Sequence, residues 1–243
     1  MKLSAVIPVY NEANTITEIV EQVFDVTLDH TLGGIEKEIV IVNDGSTDET
    51  ESVLSTLEAR WPDRLKVVHH EVNQGKGAAI RTALEHVTGD LVITQDADLE
   101  YHPQDYPALL APFKDPAVQV VYGSRNLHKN PRSTWSFYWG GRLVSWVANF
   151  LYGSHLTDEA TGYKVFRTDL LRGLGLQSAR FEFCPEVTGK ILRRGVEIHE
   201  VPISYQPRSF AEGKKISWHD GIDAIWTLLK CRFASSRGRG ERR

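Results

Sequence analysis

The chain contains 243 residues, of which 41% are hydrophobic and 25% charged, and its formal net charge is −4. This composition is typical of a soluble globular α/β protein, and it argues against a disordered chain, a membrane-spanning bundle and general nucleic-acid binding. The two cysteines, Cys184 and Cys231, do not make a disulfide framework, and no signal peptide is visible, so we expect a cytoplasmic protein.

Strand-like and helix-like segments alternate along the first half of the chain. The predicted strands are 3–9, 38–42, 65–69, 90–94 and 118–122. The first predicted helix begins near residue 14 and has a buried stripe of Ile16, Ile19, Val20 and Val23. The second carries Val53, Leu54 and Leu57 and has Ser46 or Thr47 as its cap, and the third spans about 77–86. This alternation predicts an α/β fold with a Rossmann-like, mostly parallel sheet and helices on both faces.

Polar residues follow each predicted strand, where an open α/β sheet binds its ligands. In strand order they are Asn11 and Glu12, Asp44, the turn 73–77, Asp96 and Asp98, and Ser124 and Arg125. We expect these residues to meet in one crevice. Its mixture of carboxylates and cations suits a metal-bound phosphate ligand.

The acidic pair Asp96 and Asp98 follows the apolar run 91–94. Side chains at positions i and i+2 of an extended backbone share a face, so the two carboxylates can hold one divalent cation. Hard oxygen ligands suit Mg²⁺ or Mn²⁺, which neutralises charge on a departing diphosphate. Glu100, two residues further on, is a candidate third ligand.

The turn Asn73-Gln74-Gly75-Lys76-Gly77 leads into a predicted helix. Its backbone N–H groups and Lys76 are candidates for contact with an anion. The spacing does not match an ATP-binding P-loop. A tight turn that needs positive φ explains the glycines equally well.

Six motifs occur in order between residue 3 and about residue 223. They are Pro8-Val9-Tyr10-Asn11-Glu12, Val42-Asn43-Asp44-Gly45-Ser46-Thr47-Asp48, Asn73-Gln74-Gly75-Lys76-Gly77, Asp96-Ala97-Asp98, Gly123-Ser124-Arg125 and Thr161-Gly162-Tyr163-Lys164-Val165-Phe166. Together they resemble the family 2 glycosyltransferases, which have the GT-A fold. Within that family the pattern is most similar to the polyprenyl-phosphate hexose synthases, the dolichyl-phosphate mannose synthase group.

The resemblance implies roles for individual residues. The nucleotide-sugar donor would be bound by Pro8, Tyr10 and Glu12 at the nucleoside, by Val42 and Asp44 at the base or ribose, and by Lys76, Asp96 and Ala97. The metal would be held by Asp96, Asp98 and Glu100, the last at a place where the group often has Gln. Asp98 and Arg125 would act at the sugar or phosphate. The segment 205–218 resembles a mobile basic loop of the group, with Arg208 and Lys214 as phosphate clamps, which also agrees with its charge.

The acceptor decides whether a general base is needed. A lipid phosphate is already an anionic nucleophile, so positioning and charge stabilisation are sufficient. A sugar hydroxyl needs a carboxylate to remove its proton, and the candidates are Asp158, Glu159, Glu182 and Glu186. Glu182 equally suits the cap of a helix that Pro185 begins.

Two amphipathic segments are predicted in the C-terminal half. Their apolar stripes are Trp135, Trp139, Leu143, Trp146, Val147, Phe150 and Leu151, and then Ile222, Ile225, Trp226, Leu229 and Phe233, before a basic tail at 237–243. They suit a membrane interface, where the resembled group has interface helices, or else packing on the sheet or a dimer contact. Neither segment is long enough to span a bilayer.

The sequence therefore predicts one GT-A domain over 1–243, with a donor half at 1–125, an acceptor side with the basic loop at 126–218, and an amphipathic helix and tail at 219–243. The leading hypothesis is metal-dependent, inverting transfer of a hexose from a GDP- or UDP-sugar to a polyprenyl phosphate, by a cytoplasmic protein peripheral to the inner face of the membrane. Three alternatives stay open: transfer to a soluble or polysaccharide hydroxyl, a nucleotidyltransferase, and a non-catalytic nucleotide-sugar-binding module.

Overall fold

The computed structural model describes residues 1–28, 33–131, 135–208 and 218–234. Lys214 and the basic tail lie outside these residues, as does the side chain of Trp135. Across the described ranges, no helix combines the length and the apolar character needed to cross a bilayer.

A seven-stranded sheet forms the centre of the molecule. Its strands are β1 (Lys2–Val9), β2 (Glu36–Asp44), β3 (Leu65–His70), β4 (Leu91–Thr94), β5 (Val120–Ser124), β6 (Lys164–Arg167) and β7 (His199–Pro202), arranged in the order β3-β2-β1-β4-β6-β5-β7. Only β6 runs antiparallel to its described neighbours, β4 and β5. The predicted mostly parallel sheet is therefore confirmed. β2 is longer than predicted because it pairs with β1 along that strand's whole length.

Eight helices surround the sheet in the described part of the chain. They are α1 (Ile16–Asp25), α2 (Thr50–Arg60), α3 (Lys76–Leu84), α4 (Tyr106–Leu110), α5 (Trp135–Tyr152), α6 (Thr168–Gly173), α7 (Phe183–Arg193) and α8 (Trp218–Phe233). The predicted stripe of α1 is fully buried with Leu54 and Leu57 of α2 in one core. A second core holds Ile80 of α3 and Val187 of α7. Neighbouring β1 residues point to opposite cores, Ile7 to the first and Val6 to the second, so helices cover both faces of the sheet.

The predicted cap of α2 is wrong. The helix begins at Thr50, whose backbone N–H donates to Asp48 Oδ1 at 3.1 Å. Ser46 and Thr47 instead contact the loop after β1: Ser46 Oγ accepts from the N–H of Asn11 at 3.0 Å, and the N–H of Thr47 donates to Asn11 Oδ1 at 2.8 Å. These contacts between strand ends replace a local cap and tie the loops after β1 and β2 together.

The two amphipathic helices form a layer outside the sheet. Val144 and Ala148 of α5 are buried against Leu228 of α8. A Cβ atom at Gly189 of α7 would come within 2.9 Å of Cys231 Cβ, so the glycine permits the close approach of α8 to α7. Each helix thus packs through one stripe.

Candidate functional site

The acidic pair lies just beyond the carboxyl end of β4, as predicted. The Gln95 N–H donates to the Val6 carbonyl at 2.9 Å and extends the pairing with β1 up to Asp96. A Cβ atom at Gly162 would come within 2.5 Å of Asp96 Oδ2. The same Cβ atom would lie 2.9 Å from the Tyr101 ring, so glycine gives the loop before β6 room to pass over this carboxylate.

A lysine neutralises the first carboxylate. Lys76, the first residue of α3, forms a half-buried ion pair between its Nζ and Asp96 Oδ1. Burial alone would lower the pKa of the Lys76 ammonium, but the charges of Asp96, Cys184 and Asp98 and the hydrogen bond to Asp96 together outweigh burial and raise that pKa. Lys76 was expected to face an anion, and in this structure its partner is a carboxylate of the protein; its contact with the donor stays a prediction.

An arginine from the segment after β7 meets the second carboxylate. Arg208 NH2 lies 3.0 Å from Asp98 Oδ2, and the guanidinium also contacts both carboxylate oxygens of Glu12 at 3.4 Å. Burial and then the charges of Asp96 and Glu100 raise the pKa of Asp98 to about 7, against the opposing effect of Arg208. Negative charge is therefore in excess around Asp98.

This excess fits a divalent cation, because Asp96 and Asp98 offer hard oxygen donors. Within the described ranges, however, no three His, Cys, Asp or Glu side chains converge into a ready metal site. Both oxygens of Glu100 have partners: Oε2 accepts from the Tyr205 hydroxyl at 2.9 Å, and Oε1 from the backbone N–H of Arg208 at 2.8 Å. Glu100 as a third ligand stays a prediction.

Asp44 is buried and supports the turn that precedes α3. Its carboxylate accepts from the N–H groups of Gln74 at 2.9 Å and Gly75 at 2.8 Å, and it lies 2.7 Å from His70 Nδ1. These two amides were expected to face an anion, and here they are satisfied within the protein. Sequence reasoning missed His70, although its place at the end of a predicted strand was a usable signal.

The glycines of this turn are explained by close packing. A Cβ atom at Gly75 would lie 2.5 Å from the Ala179 carbonyl oxygen, and one at Gly77 would lie 2.5 Å from that of Ser178. The N–H of Ala78 donates to Ala179 at 2.8 Å. The segment before α7 thus covers the amino end of α3. Gly75 also has a φ of +100°, as the alternative explanation by a turn required.

Other predicted donor-binding residues divide between the crevice and the core. Val42 and Ala97 are buried in the two cores, so their side chains do not reach the crevice. Pro8 and Tyr10 are partly exposed at and just beyond the end of β1. Glu12 lines a cavity of about 590 Å³ with Asp98, Leu99, Arg208 and the polar first turns of α1.

Arg125 follows β5 and is clamped by Asp158. Arg125 Nε and NH2 each donate to a different oxygen of Asp158 at 2.7 Å, and the guanidinium lies over the Tyr205 ring at 5.1 Å. Burial alone would lower the pKa of the Arg125 guanidinium. The charge and hydrogen bonds of Asp158, together with the nearby Tyr101 and Tyr205, outweigh burial and raise that pKa. Asp158 is only 2% exposed, so it serves this ion pair and is not available as a base.

The remaining base candidates have distinct surroundings. Glu159 is 1% exposed, and burial raises its pKa. Glu186 accepts from the N–H groups of Gln177 and Ser178 and from Lys190, and these contacts outweigh burial and lower its pKa. Glu182 occupies the N-cap position of α7, which begins two residues before Pro185, but its side chain makes no capping hydrogen bond. Its Oε2 is buried with no hydrogen-bond partner within the described ranges.

Comparisons with known proteins agree with this geometry. The family model described as "Glycosyl transferase family 2" matches residues 4–191. The chain is 30% identical over 230 residues to the undecaprenyl-phosphate 4-deoxy-4-formamido-L-arabinose transferase of Enterobacter sp. (strain 638), covering 95% of this chain and 67% of that protein.

Solved structures of glucosyl-3-phosphoglycerate synthase from Mycobacterium tuberculosis have a similar fold. The complex with Mn²⁺, UDP and glucosyl-3-phosphoglycerate aligns with a TM-score of 0.72 at 20% identity, covering 98% of this chain and 82% of that one. The complex with Mg²⁺ and UDP aligns with a TM-score of 0.71 at 21% identity, covering 98% and 81%. The predicted GT-A fold is confirmed.

Proposed function

The chain belongs to glycosyl transferase family 2 and is a glycosyltransferase, and we propose that it moves a hexose from a GDP- or UDP-sugar to a polyprenyl phosphate. In this proposal an acceptor phosphate oxygen bonds to the anomeric carbon as the bond to the diphosphate breaks on the opposite face. The nucleoside diphosphate leaves with the bonding electrons, and the anomeric configuration inverts. Residues 1–243 act as one domain, with the donor half and acceptor side predicted above.

The donor site consists of the crevice at the ends of β1, β2 and β4. Asp96 and Asp98 would hold Mg²⁺ or Mn²⁺, which when bound supplies positive charge to the leaving diphosphate. Lys76 and Arg208, which these carboxylates hold in the crevice, would turn to the diphosphate oxygens. Pro8, Tyr10 and Glu12 would surround the nucleoside. The UDP and metal in the solved neighbours make a UDP-sugar with Mn²⁺ the first donor to test.

The observation that carries the acceptor assignment is the state of the candidate bases. Three of the four candidates are engaged or buried: Asp158 is clamped by Arg125, Glu159 is buried, and Glu186 accepts from two backbone amides and Lys190. Glu182 is the remaining candidate. A phosphate acceptor needs no base, since its attacking oxygen is already anionic. The named acceptor of the Enterobacter relative, undecaprenyl phosphate, supports the same class of substrate.

The outer faces of α5 and α8 support attachment to a membrane surface, where such an acceptor resides. Trp146 and Phe150 are 62% and 76% exposed, and Trp226 is 56% exposed. The rings of Trp146 and Phe150 stack at 5.8 Å, so they form a continuous apolar patch. Aromatic side chains on one face of a helix suit the interfacial region of a bilayer. We therefore propose a peripheral protein of the inner membrane face.

Transfer to lipid phosphate can be measured directly. The purified protein is first mixed with GDP-, UDP-, CDP- and dTDP-sugars and Mn²⁺, because a bound donor raises the melting temperature. The donor that does so is then supplied, with its sugar radiolabelled, to undecaprenyl phosphate in vesicles. We expect labelled lipid with the wild type and none with Asp98→Ala, which should keep its melting temperature.

Two results would overturn the proposal in different ways. Full activity of Asp98→Ala, or of the wild type in excess chelator, contradicts the metal-dependent donor site. Transfer to a free sugar hydroxyl but not to lipid phosphate contradicts the acceptor assignment. In that case Glu182→Gln tests the candidate base that is only half-buried and whose Oε2 has no hydrogen-bond partner within the described ranges.

A further inference from the structure

Glu100 contacts the segment 205–208 through three different atoms. Its side-chain Oε2 accepts from the Tyr205 hydroxyl at 2.9 Å, and its Oε1 accepts from the Arg208 N–H at 2.8 Å. Its own carbonyl accepts from the Gln206 N–H at 2.9 Å. The side chain is 9% exposed, so these bonds form largely out of water, where they are strongest.

Each of the two residues that the Glu100 side chain contacts places or touches an arginine guanidinium. Arg208, whose backbone Glu100 binds, places its guanidinium against Asp98 and Glu12. The Tyr205 ring, whose hydroxyl Glu100 binds, lies under the guanidinium of Arg125 at 5.1 Å. Glu100 thus contacts the backbone of one cation, Arg208, directly and reaches the second, Arg125, only through the Tyr205 ring, while Asp158 binds the Arg125 guanidinium itself.

Each oxygen of Glu100 uses one of its lone pairs in a hydrogen bond to the segment 205–208. Any movement of the carboxylate that broke one of these bonds would leave the Tyr205 hydroxyl or the Arg208 amide without this acceptor in a nearly dry site, which is costly. We propose that Glu100 is a positioning residue, which holds the segment 205–208 so that Arg208 reaches the donor crevice. Its part in transfer, though not its contacts, rests on the function proposed above.

Hydrogen exchange tests the contact without substrate, metal or turnover. In Glu100→Leu the Arg208 amide loses its side-chain acceptor, whereas the Gln206 amide keeps the backbone carbonyl of residue 100. We expect exchange at Arg208 to accelerate roughly tenfold or more, the change for a hydrogen bond to a charged group. Gln206 is the internal control and should change much less. Equal acceleration at both amides, or at neither, overturns the inference.

A double-mutant cycle tests the consequence for transfer. If Glu100 acts through Arg208, then Glu100→Leu lowers kcat/KM in the wild type but has little further effect in Arg208→Met. If Glu100 is a metal ligand, the two effects multiply, and the proposal is wrong. Tyr205→Phe, which removes one hydroxyl and leaves the carboxylate, should give a smaller loss in the same direction. An increase or no change with Tyr205→Phe also counts against it.

The two experiments separate this inference from the proposed function. If no sugar is transferred to lipid phosphate but exchange at Arg208 accelerates selectively, the positioning contact stands and the acceptor is wrong. If transfer occurs but the cycle is multiplicative, the function stands and the positioning role is wrong. Melting temperatures of all variants identify any that fail to fold, and Tyr205→Phe then replaces Glu100→Leu in the double-mutant cycle.

Discussion

Replacing Arg208 by Met should tighten the binding of Mn²⁺ to the nucleotide-free protein. The guanidinium lies 3.0 Å from Asp98 Oδ2, where a metal bound by this carboxylate would need to approach. Arg208 and a divalent cation therefore compete for the same negative charge. Met keeps much of the apolar stem of the side chain and removes the competing charge.

The size of the effect follows from the contact. Two unit charges about 4 Å apart attract by about 4 kcal/mol at an effective dielectric constant of about 20. Asp98 and Arg208 are each about one-fifth exposed, so water screens part of this attraction. A hydrogen bond to a charged group contributes about 1.5–3 kcal/mol net. With 1.4 kcal/mol for each factor of ten, we expect the Kd for Mn²⁺ to fall about tenfold or more.

Electron paramagnetic resonance of free Mn²⁺ measures this Kd without nucleotide or acceptor. Lys230→Met is the matched control, because it removes the same charge from α8, where Lys230 lies over the Trp226 ring. The control should leave the Kd unchanged. If Arg208→Met leaves the Kd unchanged or raises it, Arg208 does not compete with the metal and the reasoning is refuted.

Three further predictions concern stability. Burial alone would raise the pKa of Glu38, but hydrogen bonds from Lys2, Ser4 and Thr88 lower it from 4.5 to about 2. The stability that Glu38 contributes is therefore complete above pH 4.5 and is lost as the pH falls towards 2. Acid unfolding of Glu38→Gln should lack this pH-dependent loss of stability. Gly77→Ala should cost about 1–3 kcal/mol in urea unfolding, because its Cβ meets a carbonyl at 2.5 Å; a neutral result contradicts this packing. Lys164→Met should cost about 1–3 kcal/mol in the same assay, because the buried ammonium donates to the backbone carbonyls of Glu159 and Thr161, which would lose this donor; an unchanged stability contradicts that role.

The features that sequence predicts well depend on neighbours along the chain. The spacing of Ile16, Ile19, Val20 and Val23 determines the buried face of α1, since a helix repeats every 3.6 residues. The position of Asp96 at the end of an apolar run likewise identifies its place at the crevice. Both predictions use only local periodicity and the general rule for ligand sites in open sheets.

The features that it predicts poorly depend on residues distant in sequence. Gly77 is glycine because the carbonyl of Ser178, about a hundred positions away, passes over it. Asp158 is not free because Arg125 binds it across the crevice. Glu100 resembles a metal ligand by its spacing from Asp98, whereas its partners come from the segment after β7. No local pattern contains these pairings.

The reversed direction of β6 has a consequence for how such a protein can diversify. Because β6 runs against β4 and β5, the segment that precedes β6 reaches the same edge as the loops that follow the parallel strands. Gly162 and Asp158 arrive at the crevice by this route, at the end of a long excursion from β5 that includes α5. Mutation and insertion in that excursion can therefore remodel the proposed acceptor side while β1 to β4 and the proposed donor loops keep their sequence. A lineage with this topology can change what receives the sugar separately from what supplies it.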